Sequence, residues 1–224
     1  MDTPIQAKSL LKTLPLQIAD QLAESITVGE LEAGARLRET ELAAMYAVSR
    51  ATIRESLRLL ELRGLVSIQP QRGAHVTQLS AKELYDLFAI RASLLSTASR
   101  LAAEHRTPKE AAELRARLAN LQANVDSTSD YVQGSADLIN YITSMADNEI
   151  LATYVRDLAQ RIGRYVRMGL STLERRQRSV ALWKETIGAI IAGDSERASA
   201  NHFKLALQNR DAALKGFEAA KTAD

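Results

Sequence analysis

The sequence predicts a mainly α-helical protein in two parts, a short mixed segment followed by an all-helical one, and three observations carry that expectation. Only 10 Gly and 4 Pro punctuate the 224 residues, so few turns are available and helices must account for most of the chain. The prolines, Pro4, Pro15, Pro70 and Pro108, fall where segments begin or end, and none interrupts a periodic apolar stretch. Strand-like alternation occurs only before residue 80. With 46% apolar and 25% charged residues, a chain of this length buries roughly 70% of its unfolded surface, enough for one or two globular domains.

Residues 1–13 read as an N-terminal tail. Leu16, Ile18, Leu22 and Ile26 then form a helix-period stripe that stops at Gly29, a residue type suited to the left-handed end of a helix. A second helix, about 39–46, carries Leu42, Ala43 and Tyr46. A third, about 50–63, follows Ser49, whose hydroxyl suits an N-cap. Two β-prone runs, 65–68 and 74–77, flank Pro70 and Gly73 and read as a hairpin. Three helices and a hairpin within 14–78 make a winged helix-turn-helix domain. A linker, 79–82, leads to an all-α helical bundle over 83–218, and 219–224 read as a C-terminal tail. Two capping boxes mark helix starts there: Ser80 with Glu83, and Thr107 with Glu110, where Pro108 takes the first helical position. Six helices are expected, at about 81–104, 108–126, 130–147, 149–170, 175–192 and 195–218.

Composition excludes several classes. The chain has no cysteine, which removes disulfide scaffolds, thiolate metal sites and thiol catalysis. Asp2, Lys8 and Lys12 interrupt the start, and no apolar run approaches the about 18 residues of a membrane helix. The expectation is a cytoplasmic protein that does not associate with membranes. Aromatics at 4% disfavour a reader of stacked single-stranded bases. There are three scattered His and no Gly-rich phosphate loop, HExxH or GxSxG segment, so an enzyme is not expected. Acid–base chemistry by Asp and Glu keeps an all-helical enzyme open as an alternative. So does an adaptor that uses the winged domain for protein contacts.

On the third helix, Ile53, Leu57 and Leu60 fall within about 60° of one another, while Arg50, Arg54 and Arg58 form a separate row four apart. One face anchors and the next is cationic, as a helix entering the major groove requires, with Ser49 and Thr52 placed to add phosphate contacts. The competing reading is an exposed helix whose Arg54, Arg58 and Arg63 balance Glu55 and Glu61. The net charge of +2 conceals a local excess: residues 36–72 carry Arg36, Arg38, Arg50, Arg54, Arg58, Arg63 and Arg72 against Glu39, Glu41, Glu55 and Glu61.

Many positions at fixed spacing around that helix carry a resemblance. Gly29, Leu31, Gly34, Leu37, Glu39, Leu42 and Ala43 lead to Val48, Ser49, Arg50, Arg54, Glu55 and Leu57, and then to Leu60, Gly64, Val66, Arg72, Gly73 and Val76. The pattern closely resembles the GntR family of bacterial transcription regulators. The resemblance implies a homodimeric repressor on a palindromic, double-stranded operator, with the third helix in the major groove and the wing tip at the minor groove. It assigns DNA contacts to Arg38, Ser49, Arg50, Thr52, Arg54, Arg72 and Gly73. Thr52 stands where the family often has Pro.

The helical remainder resembles the FCD effector domain of that family, on Leu87 to Arg91, Leu138 to Asn148, and Ile187 to Asp194. Many relatives hold a metal there. The four ligand places fall on Ser135, Ile139, Trp183 and Leu205, so no metal and no cofactor are expected. Arg91 lies in the middle of the stripe Leu84, Leu87, Phe88, Leu94, Leu95 and Ala98, and a buried Arg must find an anion. Arg161 edges the stripe Leu151, Tyr154, Leu158, Ile162 and Tyr165; His202 and Asn209 share a face with Leu205. The expected effector site has apolar walls from Ile139, Trp183 and Leu205, with Arg91, Arg161, His202 and Asn209 around an anionic group. A small organic carboxylate or acyl thioester fits. The structural alternative is that Arg91 pairs with an internal acid and His202 is partly exposed. The Arg-rich stretch 156–178 reads as a solvated face.

Overall fold

In the computed structural model, residues 12–223 are described, and the chain divides into two compact units after Gln78. Of the expected tail 1–13, all but Lys12 and Thr13 lie outside the described residues.

The first unit begins with α1 (Leu14–Val28), which buries Ile18, Leu22 and Ile26 and ends at Gly29 with φ +93°. Then come β1 (Arg36–Leu37), α2 (Glu39–Met45), α3 (Arg50–Leu62), β2 (Val66–Gln69) and β3 (Gly73–Val76). The strands form an antiparallel sheet in the order β1-β3-β2, with Ser67 and Arg36 both opposite His75. The wing hairpin was expected, but β1 was not. Two residues are too few for an alternating pattern, and Arg36 and Leu37 become a strand only by pairing with His75 and Ala74. Ile53, Leu57 and Leu60 of α3 are buried with the α1 stripe, Leu37, Leu42 and Val66 in one core. That core fixes which side of α3 faces outward.

The second unit is α4 (Ala81–His105), α5 (Pro108–Ala123), α6 (Thr128–Met145), α7 (Glu149–Gly169), α8 (Leu173–Ala192) and α9 (Ser195–Ala223). Both expected capping boxes form, with Ser80 Oγ accepting from the Glu83 N–H and Thr107 Oγ1 from the Glu110 N–H. Residues 81 and 82 are already helical, and the Leu79 N–H donates to Tyr165 Oη at 3.3 Å, so little of the expected 79–82 linker is free chain. At the other end α9 runs on to Ala223 where a tail from 219 was expected, since no Gly or Pro follows Gly216. α4 and α9 pack most extensively and run antiparallel: Arg210 lies over the Tyr85 ring near the start of α4, and Ser96 meets Ser199 further along. Around them is a core that includes Trp183, Tyr131, Leu138, Ile142 and Leu205. One stripe differs from expectation. Tyr154 is exposed and Val155 takes its place in the core, because α7 is packed on the i+4 side of Leu151.

Candidate nucleic-acid interface and buried polar cluster

The core of the first unit leaves Arg50, Arg54 and Arg58 on the outer side of α3, all exposed. Ser49 is the N-cap of α3: its Oγ accepts from the Thr52 N–H at 3.1 Å and lies 2.9 Å from Thr52 Oγ1. The two hydroxyls therefore sit together at the positive end of the helix, where a phosphate oxygen is favoured. Arg54 donates through Nε and Nη2 to the two carboxylate oxygens of Glu39, at 3.0 and 2.8 Å, and Arg50 Nη2 reaches Glu39 Oε2 at 3.5 Å. Hydrogen bonds from Arg54 hold the Glu39 carboxyl below the usual carboxylate range. Arg38, the N-cap residue of α2, pairs with Glu41 in its first turn.

Arg72 and Gly73 form the tip of the wing, where Gln71 and Gly73 have φ +65° and +84°. A Cβ on Gly73 would stand 4.0 Å from the Arg36 guanidinium. Arg36 thus adds a cation beside the wing that the sequence reading did not assign, through the β1 pairing it did not foresee. The other residue it missed is Glu39, whose ion-pair partners lie 11 and 15 positions away.

In the second unit the expected effector residues separate into groups. Arg91 is buried, 4% exposed, and its Nε and Nη1 have no hydrogen-bond partner. Burial pulls its pKa down to about 10, which leaves it charged at neutral pH. No acid pairs with it among the described residues, so the alternative of an internal ion pair does not hold. His202 is 1% exposed, against the alternative of partial exposure. Its Nδ1 lies 2.6 Å from Ser99 Oγ, and its ring meets Trp183 edge-on at 5.1 Å. Burial, with the Arg91 charge, pulls its pKa down to about 3. Trp183 donates to Ser135 Oγ at 3.3 Å, and Ile139 and Leu205 lie in the same core.

Asn209 is buried but accepts from Arg175 Nη2 at 2.7 Å. Nearby, the Tyr131 hydroxyl faces Ser179 without a well-formed hydrogen bond, and burial raises its pKa to about 12. Arg161 stands apart from these residues. It is half-buried, and the charge it acts on is Glu83 in the first turn of α4.

The Arg-rich stretch is only partly a solvated face. Arg156 and Arg178 are exposed, but Arg176 is buried and donates to the carbonyls of Val125, Asp126, Leu170 and Ser171 and to Thr128 Oγ1.

The four places that the family resemblance marks for a metal hold Ser135, Ile139, Trp183 and Leu205. Two are aliphatic, and the indole N–H of the third is spent on the hydroxyl of the first. That donor set does not fit a metal ion.

Comparison with known proteins extends the picture. The profile described as bacterial regulatory proteins, gntR family, matches residues 14–76, and the FCD domain profile matches residues 86–203. The chain is similar to the uncharacterized HTH-type transcriptional regulator YdhC of Bacillus subtilis, 36% identical over 103 residues, 46% of each chain. It is also similar to the Nta operon transcriptional regulator of Aminobacter aminovorans, 33% identical over 130 residues that cover 58% of this chain and 62% of that one. The matched stretch therefore spans about half the length of these curated relatives. Among solved structures, Escherichia coli McbR/YncC shares the fold with a TM-score of 0.80 at 23% identity, covering 92% of this chain and 100% of that one.

Proposed function

The chain belongs to the GntR family of bacterial regulatory proteins and carries its FCD domain, and from that premise we propose that it is a sequence-specific transcriptional repressor whose hold on DNA is tuned by a small organic anion. It works as a homodimer on a palindromic operator, one α3 in each of two major grooves. Arg50 and Arg54 read bases, Ser49 and Thr52 hold phosphate, and Arg72 and Gly73 reach the minor groove. Arg38, exposed at the N-cap of α2, adds a further cation.

The effector site is centred on Arg91, and one observation carries it. A fully buried guanidinium with two unpartnered nitrogens is costly until an anion arrives. Trp183, Ile139 and Leu205 offer apolar surface to the body of the ligand, and His202 and Asn209 add polar contacts. Arg161, whose charge acts on Glu83, lies outside this set. Because the residues at the family's metal places cannot ligate, the anion is gripped by protein groups directly.

Arg91→Met tests the reading. Replacing a buried unpaired charge with an apolar side chain of similar length is neutral or stabilising, so the ligand-free variant melts at or above the wild-type temperature. A panel of short-chain, dicarboxylic and aromatic acids and acyl-CoA thioesters, screened by thermal shift, stabilises the wild type and not the variant. If Arg91→Met melts well below the wild type and no acid stabilises either protein, Arg91 is structural and the effector site lies elsewhere.

A further inference from the structure

Resting on the DNA-binding reading above, we propose that Glu39 sets the base specificity of α3 by holding Arg54 in one orientation and restraining Arg50. A carboxylate on a surface that meets a polyanion is unfavourable in itself, since it repels phosphate. Glu39 nevertheless stands between the two arginines best placed to read bases, its side chain 27% exposed beside 51% for Arg54 and 63% for Arg50. The contact with Arg54 is fork on fork, two parallel N–H···O bonds, the geometry that fixes a guanidinium plane rather than merely attracting it.

Orientation is what discrimination needs. An unrestrained exposed Arg samples many rotamers and takes any nearby phosphate oxygen, which adds affinity without sequence information. With Nε and one edge of Nη2 engaged by Glu39, Arg54 presents its Nη1/Nη2 end, a donor pair that matches O6 and N7 of guanine. The ordering cost is met before DNA arrives. The carboxylate also penalises wrong sequences: it repels the acceptor edge of a misplaced guanine and tolerates the amino group of cytosine. The other ion pairs of this unit do different work. Lys12 and Arg63, which follows α3, both meet Asp20 of α1, and Arg38 at the N-cap of α2 meets Glu41 in its first turn.

The experiment starts from duplexes selected by the wild-type chain out of a random library, with a scrambled duplex of equal length and composition beside them. Dissociation constants for both are measured with the wild type, Glu39→Gln, Arg54→Ala and the double variant, after circular dichroism shows equal folding. The expected result is that Glu39→Gln weakens the selected duplex by about 10-fold or more, the scale of one bidentate base contact. The scrambled duplex is held as well as before or more tightly, and the substitution has no effect on the ratio in the Arg54→Ala background. Equal tightening of both duplexes, or no change in either, overturns the proposal, because Glu39 is then only a repelling charge or an idle one. If the wild type selects no sequence at all, the DNA-binding reading falls first and the role of Glu39 falls with it.

Discussion

His202 stays neutral in the folded chain because burial and the Arg91 charge hold its pKa near 3, whereas a free imidazole protonates near 6.5. As pH falls between these values the unfolded chain takes up a proton that the folded chain refuses. Stability is therefore lost on acidification, by up to about 1.4 kcal/mol per pH unit. Urea unfolding of the second unit at pH 5 against pH 7.5 is expected to show a loss of roughly 2 kcal/mol from this residue, and His202→Gln should remove that slope. An unchanged slope would mean that another group titrates. On the outer side of α3, Arg50→Ala is expected to cost about 1–3 kcal/mol on a selected duplex in a gel shift. The burial of Arg91 was legible because periodicity placed it in mid-stripe. Arg175 and Arg176 were not, since a run of cations looks solvated until the turn of α8 sends Arg176 toward four carbonyls and Arg175 toward Asn209.

Helices were legible wherever a local rule governs them. Ser80 and Thr107 start α4 and α5 through contacts three residues away, so their sequence carries the whole signal. β1 needed partners 37 and 39 residues on and left no trace in the sequence. The close approach of α7 to α9 was equally hidden. A Cβ on Gly169 would lie 2.8 Å from the Ala213 backbone nitrogen, whereas one on Gly188, inside α8, meets nothing within 4 Å. Gly169→Ala should destabilise by about 1–3 kcal/mol, since backbone cannot yield as a side-chain tip can. Gly188→Ala should stabilise by about 0.5–1 kcal/mol, by restricting the unfolded chain. Paired urea melts check both, and equal effects would mean that the two helices have room to separate.

At the scale of the molecule, the two units have separate cores, one built from residues 18–76 and the others from residues 79–217. The net charge of +2 says little about DNA, because the cations that matter sit in the first unit. Binding to random duplex should still fall steeply with salt, by roughly 10³-fold between 50 and 200 mM if two copies together neutralise about six phosphates. A flat response would remove the cationic face of the first unit as a surface for DNA. The division into a mixed first part and a helical second part was readable from turn residues and periodicity, because each core is filled by its own segment.

Arg106 follows α4 and donates to the carbonyls of Ile191 and Ala192 at the end of α8 and of Ala103 in α4 itself. It lies so close over Gly193, φ +77°, that a side chain there would have to displace the guanidinium. That clamp ties the end of α4 to the end of α8. The helix is 25 residues long, about 37 Å at 1.5 Å per residue, and its other end is held by the packing on α9 and by the Tyr165 hydroxyl beside Leu79. Arg91 sits part-way along it, so its unpartnered guanidinium is carried by a helix pinned at both ends and cannot leave the core by fraying of a terminus.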